Sequence, residues 1–296
     1  MKKIKHFLSL ALAAAVLVTG TIPVFADSSD TYVALGADLT AGQKAKVLQM
    51  MDLTEDDLND VNVTVITNQM EKEKLGDYLP ANVIGSRALS SVKVENRDSG
   101  GIDVTTQNIS YCTVGMYKNA LITAGVKNAD VTVVAPTYIS GTAGLVGAMN
   151  AYEGLTGKKL DSDNQDAAVD ELVTTGDLGS QLGSKEDAEN LIALAKQKVA
   201  SGDLKSDEDI MQAIKEAAKE LNISITDDQA NMILDLMKKI SKLDLSQSEL
   251  KQQASDIYDR LQSLGIDMSQ YDKQSFIDKV SDLLGQFIDF CKSLFS

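Results

Sequence analysis

"GIDVTTQNISYCTVGMYKNALITAGVKNADVTVVAPTYISGTAGLVGAMNAYEG", residues 101–154, changes hydrophobic period several times. The run 102–112 is rich in β-branched residues and reads as a strand. Met116, Ala120, Leu121 and Ala124 then recur at helical spacing up to Gly125, a C-cap residue. "ADVTVVAP" is a second strand, ended by Pro136, and the stretch beyond it opens a helix. That helix start packs Gly141, Gly144 and Gly147 into seven positions, which raises the question of a phosphate loop. A Walker loop closes on Gly-Lys-Ser/Thr, whereas Gly147 is followed by Ala148 and Met149. The dinucleotide fingerprint needs glycines at first, third and sixth positions, and here they stand first, fourth and seventh. The spacing instead sets Gly141, Gly144, Ala148 and Ala151 on one helical face, where the backbone can approach a neighbour closely. The amides free at the helix start leave Ser140, Gly141 and Thr142 as candidate ligand-binding residues.

Upstream, "LTAGQKAKVLQMM" offers Thr40 and Gln43 as a capping box before Val47, Leu48 and Met51. "VNVTVIT" alternates Val61, Val63 and Val65 with polar residues and reads as a half-buried strand. Asn68, with Glu71 three residues on, starts a short helix through Leu75. "RALSSVKVEN" and "IDVTTQNISYC" flank the turn residues 97–101 and are expected to form a hairpin. The order β-α-β-β-α-β, with a helix at each end, predicts an α+β fold whose first half is ferredoxin-like; a mixed sheet of another strand order is the alternative.

From residue 161 the β-branched runs vanish. Ser184/Asp187, Ser206/Asp209, Thr226/Gln229, Ser246/Glu249 and Ser269/Asp272 each resemble a helix start. Apolar stripes follow, such as Ile210, Ala213, Ile214, Ala217 and Leu221, so the second half reads as an all-α helical bundle. Its last helix carries Phe276, Val280, Leu283, Phe287, Cys291 and Leu294 in one seam, which covers the bundle core or makes a peripheral contact with a membrane or partner.

Residues 1–26 read as a secretory signal peptide: Lys2, Lys3 and Lys5 precede an apolar run, Phe7 to Val18, too short to span a bilayer, and Val24-Phe25-Ala26 suits cleavage after Ala26. No cysteine near that junction could take a lipid anchor, and no later segment is long and apolar enough for a membrane span. The expected units are therefore 1–26, an α/β domain 27–160 and a helical domain 161–296. The net charge is −15 over 296 residues, and removing a leader that holds three lysines and no acid makes the remainder more acidic. Such a field repels nucleic acid.

The one histidine, His6, lies in the leader, which excludes Ser-His-Asp and Cys-His catalysis and histidine-containing zinc sites from the rest. Cys112 and Cys291 could staple the two halves in an oxidising space or stand as separate buried thiols. "DSDNQD" offers Asp161, Asp163 and Asp166 as calcium ligands, but an EF-hand loop wants glycine sixth and glutamate twelfth where Asp166 and Leu172 stand. Ser90 and Lys93 have the spacing of a serine-lysine acyl enzyme, a geometry that a strand does not support.

"LGADLTAGQKAKVL", "IGSRALSSVKVE", residues 101–160 and "ELVTTGDLG" occur in the order found in the YpuA-like family of exported bacterial proteins of unknown function, and the chain resembles that family from Leu35 onward. The resemblance implies export and a cell-envelope setting in Gram-positive bacteria, and supplies no catalytic residues. The combined reading is a secreted, envelope-associated, non-enzymatic protein without a cofactor, a binding or assembly module for an envelope protein or wall component. The rival is an extracellular hydrolase using carboxylates or a metal, with Glu95, Asp98, Asp103 and Glu153 as candidates.

Overall fold

The computed structural model describes residues 30–201, 206–240, 243, 255, 258, 262 and 272–277. Five strands form one mixed sheet: β1 (Thr31–Gly36), β2 (Asn62–Ile66), β3 (Ser91–Asn96), β4 (Ile102–Ile109) and β5 (Ala129–Ile139), in the order β2-β1-β3-β5-β4. The β1/β2 and β4/β5 pairs are parallel, while β3 runs antiparallel to both β1 and β5. The fold is α+β, but the ferredoxin-like arrangement is corrected in two respects. A strand precedes the first helix, and the expected hairpin of 87–96 with 102–112 is not made.

Both corrections have local causes. In "TYVALG", Val33, Ala34 and Leu35 are all buried, because β1 lies centrally with helices on both faces, and a strand covered on both sides loses the alternation that marks it. The hairpin is replaced because β4 returns through α4 (Val114–Thr123) to β5, which inserts between β3 and β4. The five residues 97–101 then span two strand spacings, ~10 Å, around the start of β5. Asn128 organises this crossing: its carbonyl accepts from Arg97 N–H at 2.8 Å and its side chain from Gly101 N–H at 2.9 Å.

One sheet face is covered by α1 (Ala41–Met50), whose Val47 and Leu48, with Met51, pack on Val33, Leu35 and Val134. The capping box of Thr40 and Gln43 starts this helix as its sequence predicts. The other face carries α4 and α5 (Thr142–Thr156), with α2 (Asn68–Leu75), the single turn α3 (Ala81–Ile84) and α6 (Ser162–Leu182) packed around them. Thr67, not Asn68, caps α2: its hydroxyl accepts from Met70 N–H at 3.2 Å.

The glycine face of α5 is a packing surface. A Cβ at Gly144 would lie 2.6 Å from a Val133 methyl and 2.7 Å from the Tyr117 hydroxyl, and one at Gly147 would lie 3.1 Å from a Val92 methyl. Gly141 is needed twice over, since its φ is +90° and a Cβ there would lie 2.4 Å from Ile109.

Residues 162–240 contain helices only among the described residues: α6, α7 (Lys185–Ser201), α8 (Asp207–Glu220) and α9 (Asp227–Ile240). Reciprocal Thr226–Gln229 hydrogen bonds start α9, and the Ser206 and Ser184 hydroxyls accept from Asp209 and Asp187 N–H. The expected starts at Ser246 and Ser269, and the seam beyond Ile277, lie outside the described residues. Two cores meet on α6: Ala168, Val169, Leu172 and Val173 join the sheet's core, while Leu178 joins that of α7, α8 and α9. Thr123 of α4 donates to the buried Glu171 of α6, and Lys239 of α9 reaches both Asp170 and Tyr78.

Because the Gly144 contacts involve a β-branched side chain and a hydrogen-bonded phenol, Gly144→Ala is expected to lower unfolding free energy by about 1–3 kcal/mol. Urea titration followed by circular dichroism measures it, and a variant as stable as the parent would contradict this packing.

Candidate functional site

The start of α5 meets a carboxyl group from within the protein. Glu71, on α2 and only 1% exposed, accepts hydrogen bonds from the Thr142 hydroxyl and the Ala143 N–H, and a longer one from Asn68 Nδ2 at 3.4 Å. The helix has no side-chain cap of its own at Gly141, so Glu71 supplies the acceptor that an N-cap residue would give. Its negative charge also lies at the positive end of the helix. Burial nevertheless holds the Glu71 carboxyl above the usual carboxylate range, opposed by those hydrogen bonds and by the charge of Lys72.

Of the residues expected to bind a ligand there, Thr142 is thus engaged by Glu71. The Gly141 carbonyl accepts from Tyr117 Oη and from Gly144 N–H. The Ser140 carbonyl accepts from the N–H groups of Tyr111 and Cys112, while its hydroxyl lies 3.3 Å from that of Thr142.

Beside this helix start is a cavity of about 440 Å³. Ser110 and Tyr111 line it just beyond β4, Ser140 just beyond β5, and Ser90 just before β3; Arg87 and Glu71 complete its polar wall. It therefore occupies the crevice outside the carboxyl ends of parallel strands, where open α/β sheets place their ligands. Ser90 is 3% exposed, and no hydrogen bond reaches its hydroxyl among the described residues. Arg87 is exposed, with no carboxylate in ion-pair reach among the described residues.

Behind the cavity lies a buried thiol. Cys112, 2% exposed, is pushed up to about 12 by burial, against a hydrogen bond with Tyr117 and the charge of Lys185. Burial likewise raises Tyr111 and Tyr117. The Tyr111 hydroxyl has no hydrogen-bond partner among the described residues and is wedged where α6 has Gly176, at which a Cβ would lie 2.1 Å away. Lys185 of α7 spans the Tyr111 ring at 5.0 Å and donates to the carbonyls of Ser110 and Tyr111, both at 2.7 Å. Cys291, the other half of the expected pair, lies outside the described residues.

The remaining candidates are dispersed. Asp161 is the N-cap of α6, accepting from Asp163 and Asn164 N–H, and Asp163 and Asp166 are exposed on its first turns. No group of three His, Cys, Asp or Glu able to hold a metal ion occurs among the described residues. Glu95 and Asp103 flank Asp130 in one row across β3, β5 and β4, with Glu95 tied to Lys93 and Asp130 to Arg97; Asp98 is in the following loop. Glu153 stands apart on α5, bound to Lys159 and the Leu160 N–H. Sequence reasoning missed Glu71 and Arg87 as site residues and set Ser90 aside as half of a serine-lysine pair. The signal for two of them is "IGSRALSS", a polar, non-periodic segment between a helical turn and a strand.

A raised folded-state pKa means that the native protein binds the Glu71 proton more tightly than the unfolded chain. Its stabilising contribution is present below the unfolded value, 4.5, and is lost as pH rises through the folded value. Glu71→Gln is expected to remove that part of the pH dependence and to raise stability at neutral pH relative to the parent. Glu71→Ala leaves the Ala143 N–H and the Thr142 hydroxyl without their acceptor and costs about 1–3 kcal/mol; urea titrations across pH 4 to 8 test both. For the thiol, the Cys112 peptide is expected to escape alkylation by iodoacetamide at pH 8 in the native protein and to be modified fully in urea, read by mass spectrometry.

The family described as "Protein of unknown function (DUF1002)" matches residues 35–257. "Uncharacterized protein YpuA" of Bacillus subtilis (strain 168) is 39% identical over 276 residues, covering 92% of each chain. No solved structure matches. With this extent of similarity, which takes in the sheet, the cavity wall and the helices through α9, the chain belongs to the DUF1002 family.

Proposed function

We propose that the chain is an exported, cell-envelope-associated binding module whose ligand seat is the cavity beside α5. The observation that carries this is the composition of the cavity wall: a guanidinium, Arg87, and a hydroxyl, that of the nearly buried Ser90, both without a protein partner among the described residues and both at the carboxyl ends of parallel strands. Polar groups left without partners in a concave site are what a ligand satisfies. Export and association with an envelope protein or wall component are supported by the leader-like residues 1–26 and by the acidic charge, which suits life outside a nucleic-acid-filled compartment. No helix among the described residues is long and apolar enough to cross a membrane. In this reading 27–160 carries the seat, and the helical half, 161–296, buttresses it through α6 and Lys185.

Two measurements test the proposal. The product recovered outside the cell is expected to begin at Asp27, read by N-terminal sequencing; recovery only of intact cytoplasmic chain would overturn the export. Soluble wall fragments titrated calorimetrically into the purified protein are expected to bind, with Arg87→Ala weakening them at least ~10-fold, the cost of a lost charged hydrogen bond. Unchanged affinity in that variant would move the seat elsewhere.

A further inference from the structure

The cavity presents opposite charges from separate elements, Glu71 from α2 and Arg87 from the loop after α3. On this basis, and resting on the reading of that cavity as a ligand seat, we infer that its occupant is a small dipolar molecule, a free amino acid or the end of a short peptide. Its carboxylate meets Arg87 with hydroxyl support from Ser90, and its ammonium meets Glu71.

Three observations carry the inference beyond a generic polar ligand. Glu71 accepts from Thr142, Asn68 and Ala143, which leaves one of a carboxylate's roughly four lone-pair sites without a donor among the described residues. A cationic donor from the ligand fills that site and adds a direct ion pair to the support that Lys72 and the start of α5 give the buried carboxylate. Arg87 has no acidic partner among the described residues, although 43 of the 296 residues are acidic, so its planar fork stays open for a carboxylate. The size fits as well: about 440 Å³ suits an amino acid or short peptide and is too small for a folded partner.

Other charge types leave an interaction unbalanced. A simple anion meets Glu71 in a wall belonging to a chain of net charge −15, and a simple cation meets Arg87. A neutral sugar leaves both charges desolvated without partners. The Ser90 hydroxyl can donate to a carboxylate, while those of Ser110 and Ser140, which donate to the Ile139 carbonyl and the Thr142 hydroxyl, are left to accept from an ammonium.

The test is a panel of free amino acids and di- and tripeptides, each beside its N-acetylated and C-amidated forms, scored by thermal shift of the purified protein and then by calorimetry. At least one free member is expected to raise the melting midpoint by several degrees at millimolar concentration, with each blocked form binding at least ~10-fold more weakly. Glu71→Gln is expected to bind the free and N-acetylated forms alike, and Arg87→Gln the free and C-amidated forms alike. The blocked ligands probe the same two contacts without altering the fold. Equal binding of free and blocked forms, or no response across the panel, would overturn the inference. Binding of inorganic phosphate or uncharged wall sugars that Arg87→Gln removes would also overturn it, while leaving the cavity as the seat. Wall-fragment binding indifferent to Arg87→Gln and Ser90→Val would overturn the seat itself.

Discussion

A carboxyl group buried against the start of α5 is the constraint around which the α/β half is arranged. The helix start has no cap of its own, because Gly141 must turn the chain sharply beside Ile109 and Tyr117, where no side chain fits. Glu71 supplies the missing acceptor from another helix, 71 residues away in the chain from Thr142. That contact joins α2 to α5, beside the apolar packing of Leu75, and places Glu71 in the cavity wall. The start of α5 is thus closed from within the protein, by a carboxyl group where an N-cap side chain would stand.

The same solution recurs where the halves join. Glu171 accepts from Thr123 between α6 and α4, and Glu189 accepts from Thr113 between α7 and α4. Each pair places a glutamate that is nearly inaccessible to water against a threonine hydroxyl of another helix. Unlike apolar contacts, which tolerate sliding, these bonds define how far one helix is turned against its neighbour. The sheet and the helices behind it are held by fat and by hydrogen bonds of this directional kind together.

What could be read from the chain divides by distance. The Thr40–Gln43 and Thr226–Gln229 boxes close within one helical turn, so their residues announce them. The α4 and α5 helices and the strand of "ADVTVVAP" follow from period and from glycine punctuation. β1 was hidden because burial on both faces removes its alternation, and the pairing of β3 with β5 was hidden because it depends on a crossover rather than on the turn at 97–101. The packing role of the α5 glycines was legible, since small residues on one helical face have that physical meaning. Glu71 and Arg87 were not, because a single acid or base gains its meaning only from what the fold places beside it.

The position of α6 has a consequence for how such a chain is inherited. Its first turns fill the core under the sheet, and its last turns fill the core of α7, α8 and α9. Cutting the gene at the composition change near residue 161 would strip α4 of the side that Leu172 and Val173 cover and would expose Thr123 and Tyr111 to water. Neither part could be shuffled into another protein without carrying a matching surface with it. The two halves are expected to travel through evolution as one piece, as the single uninterrupted match over 35–257 is in keeping with.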